Sequence, residues 1–290
     1  MTWVNAVVQG VLLGGFYALI ATGLSLVFGV MRLVNLAHGD LSILAAFLAL
    51  TVVGLLGLGP FAALAVVVPL MFGIGYLLQR GLLNPTLGRG VLPPVLVTFG
   101  LSIIVQNLLL LAYSADSRGL DAGRLETASL ALTPQLAVGW LPLLTFVVAV
   151  AVLGGLQLLL RRTQLGRAFR AAADDPEAAA LVGIDTRHLY ALATAIALAT
   201  VAIAGVFLGV RTTFAPSAGP VRLLFAFEAV IIGGLGSLWG TLIGGVVLGV
   251  AQTVGAQINP GWDVLAGHLV FLAVLALKPS GLFTRGTARA

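Results

Sequence analysis

Residues 143–160 read LLTFVVAVAVLGGLQLLL, and Arg161-Arg162 follow at once. This run carries no charge and shows none of the polar–apolar alternation that a membrane β-strand requires. As a helix rising 1.5 Å per residue it nearly crosses the hydrocarbon layer of a bilayer, about 30 Å thick. The pattern repeats outward in both directions. No Asp, Glu, Lys or Arg occurs in 1–31, 41–79, 90–115, 127–160, 188–210 or 229–262. Of the 290 residues 60% are apolar and only 9% charged, with a mean hydropathy of +1.12. Soluble domains carry about 25% charged residues, so an ordinary cytoplasmic enzyme is excluded. The sequence specifies an all-α polytopic membrane protein.

Asparagine, glycine, proline and charge divide the apolar runs into spans near 5–31, 41–58, 61–80, 93–113, 140–160, 188–210, 225–236, 238–257 and 262–278. Two connections are long, 114–139 and 161–187. Basic residues favour the cytoplasmic side, and Arg161, Arg162, Arg167, Arg170 and Arg187 share the second loop. Arg32, Arg80 and Arg89 then fall on the same side. So do Lys278, Arg285 and Arg289, provided 225–236 crosses. Nine spans with the N-terminus outside satisfy the bias; a re-entrant 225–236 would leave eight and put the basic tail outside. The whole chain, 1–290, reads as one membrane domain, with 114–139 a periplasmic loop and 161–187 a cytoplasmic one.

The formal charge of +5 would suggest nucleic acid in a soluble protein. Here it fits arginines beside anionic lipid, so membrane lipid is the expected partner and nucleic acid is not. There is no cysteine, and the three histidines, 38, 188 and 268, are scattered, so no metal site is expected. The N-terminus lacks a basic n-region and a small-residue cleavage site, and its first apolar stretch is expected to stay as a span.

The loop RRTQLGRAFRAAADDPEAAALVGIDTR (161–187) carries a helix start in its middle. Asp174 or Asp175 can cap it, Pro176 suits the first helical position, and Glu177 lies in the first turn. Ala178, Ala179, Ala180 and Leu181 propagate the helix and Gly183 stops it. A short, small-faced helix with charges at both ends is suited to docking on a partner.

Glu177-Ala178-Ala179 with Gly183 resembles the signature loop by which ABC importer permeases dock on their ATPase. The stretch Gly166–Ile184, Arg167 included, is similar to that of the branched-chain amino-acid permeases. So are Asn35-Leu-Ala-His38-Gly39-Asp40, Phe99-Gly100-Leu101-Ser102 with Gln106-Asn107, the segment Gly233-Gly234-Leu235-Gly236-Ser237 with Gly240 and Gly244-Gly245, and Lys278-Pro279-Ser280-Gly281-Leu282. The length resembles the shorter, H-type permease. The resemblance implies a type II (vitamin-importer-like) arrangement and no enzymatic activity on this chain. It also implies a second homologous permease, two ATPase subunits that hold ATP and Mg, a periplasmic or lipid-anchored binding protein, and an amino-acid substrate. Urea or short-chain amides are alternative substrates within the family.

Several groups invite a role in the membrane. Eight glycines fall in 233–255, with Gly236, Gly240 and Gly244 four apart, spacing that lets helix backbones approach closely. This is not a nucleotide loop: no Lys-Ser/Thr follows, and the only lysine, Lys278, precedes proline. Gly10–Gly15 and Gly240–Gly245 share a weak Gly-x-x-x-Gly-Gly repeat in oppositely directed spans. Asn5 and Gln9 lie one turn apart. Thr98, Ser102 and Gln106 form a stripe with Asn107 beside it, either interhelical glue or a pathway lining. Gln252 and Gln257 belong to the penultimate span. Asn35, His38 and Asp40 are expected where the first span meets the cytoplasm, as a turn anchor or inner gate, with Asp40 able to cap the second span. Glu228 stands in an apolar run, expected to pair with Arg222 or Arg211 or to select substrate. The resemblance departs here, since family members usually carry a small residue at that position. An ion-coupled secondary transporter would need an acid deep in the bundle, and Asp40, Glu228 and Asp263 are all expected near span ends. A channel would need a selectivity element that the sequence does not show.

Overall fold

A computed structural model describes residues 3–133 and 136–283. The basic tail residues Arg285 and Arg289 lie outside the described residues. In chain order the helices are α1 (Trp3–Met31), α2 (His38–Leu56), α3 (Pro60–Leu78), α4 (Leu92–Tyr113) and α5 (Arg124–Thr127). The strands β1 (Ser129–Thr133) and β2 (Leu136–Gly139) come next. Then follow α6 (Trp140–Arg162), α7 (Gln164–Asp174), α8 (Pro176–Leu181), α9 (Thr186–Arg211), α10 (Gly219–Gly233), α11 (Leu238–Ile258) and α12 (Asp263–Leu277). α3 runs on through a π-turn, Gln79–Leu83, and a 3-10 turn, Asn84–Thr86. Among the described residues nine helical segments are long and apolar enough to cross a membrane.

Local chemistry sets the breaks between them. Gly57 takes a left-handed conformation (φ 64°) and returns its N–H to Val53, and Pro60 then opens α3. Asp185 caps α9 by accepting the His188 N–H at 3.0 Å, and Ser237 caps α11 through the Gly240 N–H at 3.1 Å.

Contacts between elements sort the chain into two ends. At one end Gln9 donates to the Ala137 carbonyl of β2 (2.8 Å), and Arg118 and Phe214 exchange backbone bonds (2.9 and 2.8 Å). At the other end Gly29 meets Gly236, and Asn84 donates to the Arg187 carbonyl (3.0 Å). The tail also closes there: Leu282 and Phe283 donate their N–H groups to the Ile232 and Gly233 carbonyls (2.8 and 3.1 Å). The chain therefore passes from Phe214 at the first end to Gly233 at the second, so α10 crosses the bundle. The described C-terminal residues sit opposite the N-terminus, as nine spans require.

α1 is the axis of the core. It lies antiparallel to α11 with almost no side chain between them: a Cβ on Gly10 or Gly14 would strike Val250 or Val246, and one on Gly249 would strike Gly10. The two Gly-rich repeats thus face each other across this seam, Gly14 against Gly245. A second close contact joins α10 and α11 through Gly233 with Gly240, and Gly244 with Ala229.

Three expectations change, and the loop 114–139 gains internal structure. Gly234 (φ 103°) and Gly236 (φ 79°) belong to the turn between α10 and α11, not to a helical small-residue stripe. The loop 114–139 contains α5 and an antiparallel hairpin, structured by local bonds such as the Ala122 N–H to Glu126 (2.5 Å). The loop 161–187 holds two helices rather than one. Finally, α2 does not begin at the membrane surface. His38 Nε2 bonds the Ile20 carbonyl at 2.8 Å, eleven residues before α1 ends, or roughly 17 Å of helix. Residues 32–37 therefore turn back into the bundle.

Candidate functional site

The loop between α6 and α9 is built by two caps and a stop. Thr163 caps α7 through the Gly166 N–H (3.1 Å). Leu165, Ala168, Phe169 and Ala172 follow helical spacing, and α7 buries Phe169 and Ala172 while leaving Arg167 exposed. Arg170 donates back to the Leu160 carbonyl, fastening α7 beneath α6. Asp174 ends α7. Asp175 caps α8, its Oδ1 accepting from Glu177 and Ala178 N–H, both at 3.0 Å. Pro176 occupies the first helical position and Glu177 the first turn.

At the other end of α8, Gly183 (φ 87°) donates to Ala180 (3.0 Å) and Ile184 to Ala179 (3.1 Å). This pair of bonds is the Schellman stop that a left-handed glycine makes possible. Ala179 is buried and Ala178 exposed. Leu181, given by the sequence only a helix-propagating role, and Val182, given none, are 88% and 78% exposed. Their signal was present: two apolar residues directly after an alanine run, in a loop otherwise rich in charge. Asp185, fully exposed, has its carboxyl held below the usual carboxylate range by the His188 N–H it accepts.

The interior polar residues separate into three groups. Asn5 and Gln9 sit at the hairpin end of α1, Gln9 bonding both Asn5 (3.4 Å) and Ala137 of β2. Asn35 folds onto the Ala37 N–H (3.0 Å) as a turn residue. Asp40 lies inside α2 rather than capping it, fully buried, with Ser102 donating to its Oδ2 (2.6 Å) and Gln106 donating to Ser102 (3.1 Å). Gly219, the first residue of α10, presses against that carboxyl group. Of the stripe on α4, Thr98 bonds back to Val95 and Asn107 to Ile103, both within α4. Ser102 and Gln106 thus tie α4 to α2.

Glu228 is 2% exposed and bonds His268 Nδ1 on α12. The expected arginine partners do not reach it, because they lie toward Phe16 and Tyr17 on α1. Asp40 does stand in the first turn of its span, but it and Glu228 are both buried within the bundle rather than solvated.

A model of the family described as branched-chain amino acid transport system / permease component matches residues 6–275. The chain belongs to this permease family. It is 32% identical to the high-affinity branched-chain amino acid transport system permease protein BraD of Pseudomonas aeruginosa, over 98% of this chain and 96% of that one. It is 30% identical to LivH of Salmonella typhimurium, over 96% and 94%. To the probable branched-chain amino acid transport permease protein LivH of Methanocaldococcus jannaschii it is 29% identical, over 91% and 87%. No solved structure matches.

The permease is accordingly a transport subunit rather than an enzyme, a multi-pass protein of the inner membrane, and one component of a larger transport system. Family membership, not the placement of acids, is what decides against a secondary transporter.

Proposed function

We propose that this permease imports branched-chain or related amino acids as half of a permease pair. Two ATPase subunits dock on the 161–187 loop, and a periplasmic or lipid-anchored binding protein delivers substrate on the other face. ATP and Mg reside on the ATPases. Closure of those subunits pushes on α8, α7 carries the push into α1 and α6, and the pathway reopens on the opposite side.

The observation that carries this reading is α8 itself. It is a capped and stopped helix that leaves two adjacent apolar side chains, Leu181 and Val182, in the open on a charged loop, a surface suited to a partner. α7 is packed beneath it, so a force on α8 meets a rigid support. Among the pathway candidates, Gln9, His38 and Ser102 tie different elements together, Asn5 bonds Gln9, Asn35, Thr98 and Asn107 bond within their own turn or helix, and Gln106, half-buried, supports Ser102. Glu228 remains as the pathway residue.

Leu181→Asp places a charge on this surface of α8. Gly183→Val forces a β-branched residue into a left-handed turn, which it tolerates poorly. Both should abolish substrate-stimulated ATP hydrolysis by the assembled complex while the permease still inserts in membranes. Wild-type stimulation in both variants overturns the docking assignment.

A further inference from the structure

Among the described residues six buried side-chain atoms lack a hydrogen-bond partner: Ser25 Oγ, Asp40 Oδ1, Arg211 Nη1, Arg222 Nε, Glu228 Oε2 and Gln252 Nε2. Such atoms are costly and rare in native proteins. Four of the six surround one stack of rings. Tyr17 donates its hydroxyl to Gln252 Oε1 at 2.6 Å, and its ring lies 5.2 Å from Phe225. Phe225 stacks in turn on His268, with centroids 6.2 Å apart and planes 15° from parallel, and His268 bonds Glu228.

Arg211 lies 5.2 Å over the ring of Phe16, the neighbour of Tyr17, and Arg222 stands one turn before Phe225 on α10. Neither is paired with an acid: among the described residues the only salt bridges are Arg118 with Asp116 and His268 with Glu228. The order is therefore cations, rings, carboxylate, with an unsatisfied donor or acceptor at each end.

We propose that this cluster is a transit site for a zwitterionic α-amino acid. Arg211 and Arg222 take its carboxylate, Glu228 takes its ammonium group, and Tyr17 and Phe225 flank its apolar side chain. Arginine suits the first role because its donors match the two oxygens of a carboxylate. Glu228, held by His268 through one oxygen, keeps the other for an N–H donor. The ring of Phe225 lies between the two ends in this conformation, so a ligand enters as Phe225 turns aside. This inference rests on the importer reading above, and it adds the groups that recognise the substrate in passage.

The test uses the complete transporter in proteoliposomes with its binding protein, and reads leucine moved per ATP hydrolysed. Glu228→Gln should lower that ratio about tenfold, the loss expected when a charge-assisted hydrogen bond goes, and Glu228→Asp should restore most of it. Arg222→Gln, at a half-buried position, should lower it similarly and carries the test if Glu228→Gln does not assemble. Ser25→Ala, an unpartnered group outside the cluster, should keep the wild-type ratio. Unchanged ratios in Glu228→Gln and Arg222→Gln overturn the site while leaving the importer reading intact. A wild-type complex that moves no leucine counts against both.

Discussion

The seam between α1 and α11 and the alanine run of α8 are both short of large side chains, for opposite reasons. In the seam, glycines bring backbone against backbone, and every missing Cβ is already replaced by atoms of the facing helix. In the loop, Ala178 and Ala180 face outward with nothing of this chain against them, and Leu181 and Val182 extend the bare surface. The first region is complete within one molecule. The second, on the docking role proposed above, is completed by a partner. Small residues alone do not distinguish these cases; what distinguishes them is whether the neighbour lies in the same chain.

Substitutions can break that contrast. The largest expected effect on stability is in the seam. Gly249→Val places its side chain into Gly10 and Gly14, a strain at the upper end of the roughly 1–3 kcal/mol range for overpacking. Most of the folded permease should be lost in detergent-solubilised size-exclusion profiles. A wild-type profile would show that the seam can open at little cost.

Next in size is the α2–α4 tie. Ser102→Ala deprives the buried Asp40 of its 2.6 Å donor, at about 1–3 kcal/mol, and should lower the thermal midpoint of the purified permease. An unchanged midpoint would mean that the tie contributes nothing. Smallest is Glu177→Lys on exposed α8. Reversing the charge in its first turn costs roughly 0.3–1 kcal/mol of helix stability, so the midpoint should barely move while stimulated ATP hydrolysis collapses. If hydrolysis survives, α8 is not electrostatically keyed to its partner.

The fold was legible where physics is local. Charge-free runs of sufficient length can only be spans, and Asp175, Pro176 and Gly183 announce a helix start and stop wherever the loop lies. What escaped depends on partners distant in sequence. Asn35 is the turn residue its sequence suggests, but His38 and Asp40 look solvated after Arg32, because nothing nearby shows that Ile20 and Ser102 satisfy them inside the bundle. Glu228 was read toward the arginines closest in sequence, whereas its partner, His268, lies forty residues on. Gly234 and Gly236 fit a small-residue stripe by spacing, and only their positive φ angles reveal a turn. α7 too has a local signature, the helical spacing of Leu165, Phe169 and Ala172 behind the Thr163 cap, weaker than the Asp175-Pro176 start of α8.

The tail contact at the end of α10 bears on how the chain is made. The carbonyls of Ile232 and Gly233 belong to the last turn of a helix, where no later residue of that helix can reach them. Their donors, the N–H groups of Leu282 and Phe283, are translated about fifty residues afterwards. During synthesis this end of α10 must wait for them while α11 and α12 are made. A chain that stops before Leu282 has every span present and lacks these two donors to the last carbonyls of α10.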